Sequence, residues 1–162
     1  MGLRETVRDI RQRAGVDAAF EARKPQIIAD WRGQIEQLND MIRRWLSDLE
    51  QNGSIQFTME PVEIREEALG SYTVQAMTIQ AGPAVVRLQP AARMIIGAVG
   101  RVDMFRQGRS ARDERVLLLR VKSDQGEDWA LRMPSASGAD PRDLLPLTQS
   151  TFEEALDSLL KQ

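Results

Sequence analysis

From Ile28 onward, apolar residues recur at alternating spacings of three and four: Ile28, Trp31, Ile35, Leu38, Ile42, Trp45 and Leu49. That spacing marks one face of an α-helix, and sustained over three repeats it forms a heptad seam. It predicts a helix over 26–51. Pro25 suits its first turn, and Gln51-Asn52-Gly53-Ser54 supplies turn chemistry at its end. A shorter amphipathic helix is predicted over 3–14, where Leu3, Val7, Ile10 and Ala14 share a face and Gly15 offers a stop.

The residues flanking the seam decide what it packs against. With the two tryptophans at d, positions g hold Ile27, Gln34 and Met41, and positions e hold Arg32, Asn39 and Leu46. The complementary charges that set partner choice in two-stranded coils are absent. Ile27, Met41 and Leu46 also widen the stripe toward an ordinary core face. Two occupants fit: the protein's own sheet or first helix, and a second copy of the chain in a homodimer.

After residue 53 the period falls to two. Ile55, Phe57 and Met59 alternate with polar residues and predict a strand over 54–60, interrupted at Pro61, with Val62-Glu63-Ile64 resuming past a bulge or edge. Further strands are predicted over 71–80, over 84–89 with Pro90 as a stop, over 101–106, and over 116–121. Gly97 and Gly100 interrupt the apolar run 93–99 and its continuation, as glycines do at bulges or close backbone approaches. Ser123-Asp124-Gln125-Gly126 reads as a hairpin turn, with Trp129, Leu131 and Met133 on the return strand. Pro134, Gly138, Pro141 and Pro146 make 134–147 a connector. The last helix, over 148–161, opens on a Ser150-Thr151-Phe152-Glu153 capping box. Its stripe is Phe152, Ala155, Leu156, Leu159 and Leu160, and its polar face is acidic at Glu153, Glu154 and Asp157.

These elements make an α+β chain. N-terminal helices (1–52), one of them the long amphipathic heptad helix, precede a mainly antiparallel β-meander of about seven strands (54–133). The connector and a C-terminal amphipathic helix follow. At 162 residues the whole reads as a single domain over 1–162. The element order over 54–162 is similar to the pleckstrin-homology-like superfold, in which a C-terminal helix plugs a curved meander. That likeness implies a fold and no ligand.

Composition narrows the chemistry. The chain has no cysteine and no histidine, which removes thiolate nucleophiles, Ser-His-Asp triads and His- or Cys-based metal sites. Any catalysis would rest on carboxylates, lysine or the lone Tyr72. Gly97-Ala98-Val99-Gly100 lacks phosphate-loop spacing. A nuclease-type magnesium site would need an acid where Arg120 precedes Val121-Lys122, and without it the ion loses charge compensation. Glu66-Glu67 and Asp113-Glu114 read as solvated acidic pairs. No cofactor or metal is called for. A charged start without an apolar leader, and no run of membrane-spanning length, point to the cytoplasm and away from a membrane.

One segment departs from the net charge of −2. Residues 101–115 carry Arg101, Arg106, Arg109, Arg112 and Arg115 against three acids. Arginine's planar fork suits carboxylate or phosphate, so these five are candidate binding residues. The reading that follows is a non-enzymatic protein-interaction module whose partner is another protein or the chain itself. A nucleic-acid or phosphate contact through Arg101–Arg115 is the alternative, although an acidic chain is not built for bulk attraction to nucleic acid. A small carboxylate-based enzyme is the second alternative.

Overall fold

The computed structural model describes residues 2–94, 98–109, 111, 114–134 and 143–162. Its first element is one helix, α1 (Leu3–Trp45), where the pattern predicts two separated at Gly15. Gly15 keeps helical backbone: positive φ occurs at other glycines, not here. Pro25 lies inside the helix, where it removes one backbone hydrogen bond. The helix survives because Phe20, Ile27 and Ile28, on either side of the proline, pack against the core. A short turn of helix, α2 (Ser47–Gln51), follows and ends before Gly53, whose φ is 81°.

Seven antiparallel strands come next: β1 (Gln56–Glu66), β2 (Gly70–Ala81), β3 (Ala84–Ala92), β4 (Arg101–Arg106), β5 (Val116–Ser123), β6 (Gly126–Arg132) and β7 (Leu145–Pro146). They form one sheet in the order β1-β2-β3-β4-β5-β6-β7, a plain meander. Two prolines are accommodated within strands: Pro61, past which the strand continues as the edge reading allows, and Pro90, where the pattern predicts a stop. Pro61 stays paired opposite Gln75 within β1, because β1 is an edge strand and its missing N–H costs no ladder bond on the open side. Pro90 pairs with Val102 beside a register shift between Pro90 and Ala92, the kind of bulge that tolerates proline. Much of the predicted connector, 135–142, lies outside the described residues, as does Gly97. The connector's end pairs with β6 as β7.

The final helix, α3 (Gln149–Leu160), begins one residue before Ser150, and its N-cap lies two residues before that predicted cap. Thr148 is the N-cap: its Oγ1 accepts from Thr151 N at 3.1 Å, while Thr148 N donates to Thr151 Oγ1 at 2.9 Å. A threonine thus fills the place that a glutamate takes in the usual box, and Glu153 stays exposed.

The sheet curls around the second half of α1. Arg32 donates to the carbonyl of Thr73 on β2, and Gln34 donates to Glu127 on β6. Those strands are four apart, roughly 19 Å in a flat sheet at about 4.8 Å per strand. A helix with side chains is only about 10–12 Å wide, so the sheet must bend for neighbouring helix positions to touch both. Trp31, fully buried, reaches Trp129 on β6 with ring centroids 5.9 Å apart. At the other end Trp45 packs on Phe152 of α3 at the same separation, and Gln149 donates to the Trp45 carbonyl. Burial along β2 changes phase. Tyr72, Val74 and Ala76 are buried, and so are Met77 and Ile79. The strand therefore contributes both of its faces, whereas a half-solvated strand would bury one.

Candidate functional site

The structure separates the four candidate arginines among the described residues. Arg115 Nη1 donates to Asp103 Oδ2 at 2.7 Å, and its guanidinium stands 4.4 Å from the centroid of the Phe105 ring. Arg101 Nε lies 2.9 Å from Asp103 Oδ1, close enough for ion pairing though not aligned as a hydrogen bond. Asp103 is only 4% exposed, so these two arginines compensate a buried carboxylate. Arg106 donates to the carbonyls of Leu160 and Gln162 and closes the C-terminal end of α3, where carbonyls lack helical partners and a cation is favoured. Arg109 is exposed, and its side chain has no partner among the described residues. Arg112 lies outside the described residues. The four described arginines do not converge on one point: three of them hold the fold together.

The heptad seam is likewise taken up internally. Trp31, Ile35, Leu38 and Ile42 are sealed inside the core, and Ile28, Trp45 and Leu49 are half-buried against it. Of the two occupants the pattern allows, the chain's own sheet and α3 fill this stretch of α1.

What remains uncovered is the first part of the same helix. Every residue from 3 to 19 is exposed, so an arm of roughly 25 Å, at 1.5 Å per residue, extends past the sheet. Leu3 is 77% exposed, Val7 46%, Ile10 62% and Val16 63%. Counting back from Ile28 in the same frame gives Lys24, Glu21 and Asp17, then Ala14, Ile10, Val7 and Leu3. The seam is one frame with two apolar stretches, and only the second is covered. The signal that marks the break is the run of charged residues at seam positions 17, 21 and 24. Lys24 pairs with Glu21 at 2.6 Å across it.

At the root of the arm an open cleft lies between α1 and the connection after β3. Its apolar members are Phe20, Ile27, Met94, Ala98 and Val99, and its cationic members are Arg23, Arg93 and Lys122. No carboxylate is among these lining residues. Glu66 anchors the β3 side of the cleft, accepting from the backbone N–H of Arg93 at 3.0 Å and of Met94 at 2.8 Å. It also accepts from the Tyr72 hydroxyl. Burial first, and the Glu66 carboxylate second, push the Tyr72 phenol well above its ordinary value.

Among the described residues no three ligating side chains gather into a metal-binding group, and no helix is long and apolar enough to cross a membrane. Comparison with protein-family models, with curated proteins and with solved structures finds no match. The likeness to the pleckstrin-homology-like superfold therefore rests on element order alone.

Proposed function

We propose that this chain is a non-enzymatic protein-interaction module and that the arm of α1, residues 3–19, is its partner-facing element. The observation that carries the reading is the exposure of Leu3, Val7 and Ile10 at consecutive seam positions of a helix whose later seam is buried. A helix of this length without tertiary contacts is marginal in water, and grouped exposed apolar side chains mark interaction surfaces. Docking a partner helix would cover the stripe and hold the arm helical.

The anion-contact alternative is weakened by the internal engagement of Arg101, Arg106 and Arg115, which leaves Arg109 as its exposed cation among the described residues. The enzyme alternative needs an enclosed pocket holding two carboxylates: Asp9 and Asp17 flank only an open depression on the exposed face of α1, and the cleft at the arm's root is lined by cations.

The experiment is a comparison of the full chain with Val7→Asp/Ile10→Asp. Both positions are exposed, so the variant is expected to keep the wild-type melting curve, because surface changes of this kind move stability by less than about 0.5 kcal/mol. Proteins captured from the native host by the wild type, and then rebound in purified form, should fail to bind the variant. Equal binding would remove the arm from consideration.

A further inference from the structure

The charges beside the exposed seam say what kind of helix it accepts. With Val7 and Ala14 at a, and Leu3 and Ile10 at d, positions e hold Arg4, Arg11 and Ala18. Positions g hold Thr6, Arg13 and Phe20. The flanks contain three arginines and no acid. The acids at this end of the arm, Glu5 and Asp9, fall at f and c, away from the seam. Flanking charges set partner choice and orientation in coiled helices. In a protein of net charge −2, this local sign is opposite to that of the whole.

A second copy of the chain is a poor match for these flanks. Parallel pairing sets g of one helix against e of the next heptad on the other, which gives Thr6 against Arg11 and Arg13 against Ala18. Antiparallel pairing sets e against e and brings Arg4 beside Arg11. Neither arrangement offers a carboxylate, and the second is repulsive. A bilayer surface is also a poor match. The polar side of the arm sets Glu5 and Asp9 against a single Arg8, whereas interfacial helices are rich in lysine and arginine there and use larger apolar residues. The basic character continues at the arm's root, where Arg23, Arg93 and Lys122 line the cleft.

We infer that the partner is an amphipathic helix of another protein, apolar over about two heptads and flanked by carboxylates that meet Arg4, Arg11 and Arg13. This rests on the reading of the arm as the partner-facing element and names the chemistry of what docks there. Asp17 and Glu21 occupy the next seam positions, so they end the apolar contact and set its length.

The test uses the full chain and two fluorescein-labelled synthetic peptides read by fluorescence anisotropy at low salt. Both carry leucine at every a and d; one has glutamate at every e and g, the other lysine. The acidic peptide should bind at least about tenfold more tightly, the sum expected of several exposed ion pairs, with the advantage shrinking as salt rises. Arg4→Glu/Arg11→Glu/Arg13→Glu should reverse the preference, and Val7→Asp/Ile10→Asp should abolish binding of both. Equal binding of the two peptides would overturn the inference and leave the arm as a docking element without charge selection. A dimer in sedimentation equilibrium that Val7→Asp/Ile10→Asp dissolves, with neither peptide bound, would assign the seam to a second copy. Neither peptide bound by a monomeric chain would overturn the inference, and unchanged capture of native partners by the Asp variant would overturn the reading beneath it. Binding to phosphatidylserine vesicles in preference to the acidic peptide would overturn both.

Discussion

Gly100 shows what a single missing side chain permits. A Cβ placed there would stand 2.4 Å from Cζ3 and 2.6 Å from Cη2 of Trp31, whose ring is completely buried. The indole cannot move aside without disturbing its contact with Trp129. Gly100→Ala is expected to lower stability by about 1–3 kcal/mol, the usual cost of overpacking a filled core, measured by denaturant unfolding. Tyr72 gives a test in pH. Its phenol is raised above the ordinary value of 10.0 by burial and by Glu66, so folding favours the neutral form. The stability this provides is intact below 10, and declines as pH climbs above that value toward the folded-state value. The chain has one tyrosine, so phenolate absorbance reports it alone. No ionisation is expected near pH 10 while the chain remains folded, and the signal should appear together with unfolding. Ordinary ionisation at 10 in the folded chain would mean that neither the burial of the ring nor the Glu66 contact is held in solution.

At the scale of elements, α1 is one helix with two environments. Its first part lacks tertiary support and contains Gly15, which costs roughly 1 kcal/mol relative to alanine in a helix interior. A Cβ at Gly15 meets nothing within 4 Å. Gly15→Ala is therefore expected to raise helical ellipticity and slow amide exchange across 3–19, without shifting the melting midpoint set by the core. A shifted midpoint would show that the arm takes part in global unfolding. The strands make a complementary point about proline. Pro61 and Pro90 are both accommodated, one on an edge and one at a bulge, because proline matters to a sheet only where its N–H would have been used.

For the whole molecule, the curled sheet closes on the second half of α1 and on α3, and the arm lies outside that closure. Stability should follow the same division. Amides around Ile35–Ile42 belong to a stretch pinned by the buried Ile35, Leu38, Asn39 and Ile42 and should exchange only through global unfolding, whereas those of residues 3–19 should exchange by local fraying. Hydrogen exchange read by mass spectrometry should show a steep gradient along this single helix. Uniform protection from Leu3 to Trp45 would mean that the arm is covered in solution, and a dimer would then be the first explanation to examine.

Much of this was legible in the chain itself. The seam from Ile28 to Leu49, the strands β1 to β6, the hairpin at Asp124-Gln125 and the stripe of α3 follow from the pattern of apolar positions, since periods of 3.6 and 2 place side chains on defined faces, whereas β7 falls within the stretch read as a connector. The close approach at Gly100 was signalled by glycine in an apolar run. Local signals also misled: Gly15 and Pro25 resemble helix boundaries, and Ser150 with Glu153 resembles a cap. Packing on either side overrides Pro25, and the nearer hydrogen bonds of Thr148 override Ser150; Gly15 simply keeps helical backbone, which glycine allows without requiring a stop. Which of two apolar stretches in one heptad frame is buried, and which of five arginines are spent on Asp103 and on the end of α3, belonged to the tertiary structure. Periodicity states that a face is apolar, but what covers that face depends on elements distant in sequence. An arginine's partner is likewise chosen by whichever carboxylate or helix end the fold brings within hydrogen-bonding distance.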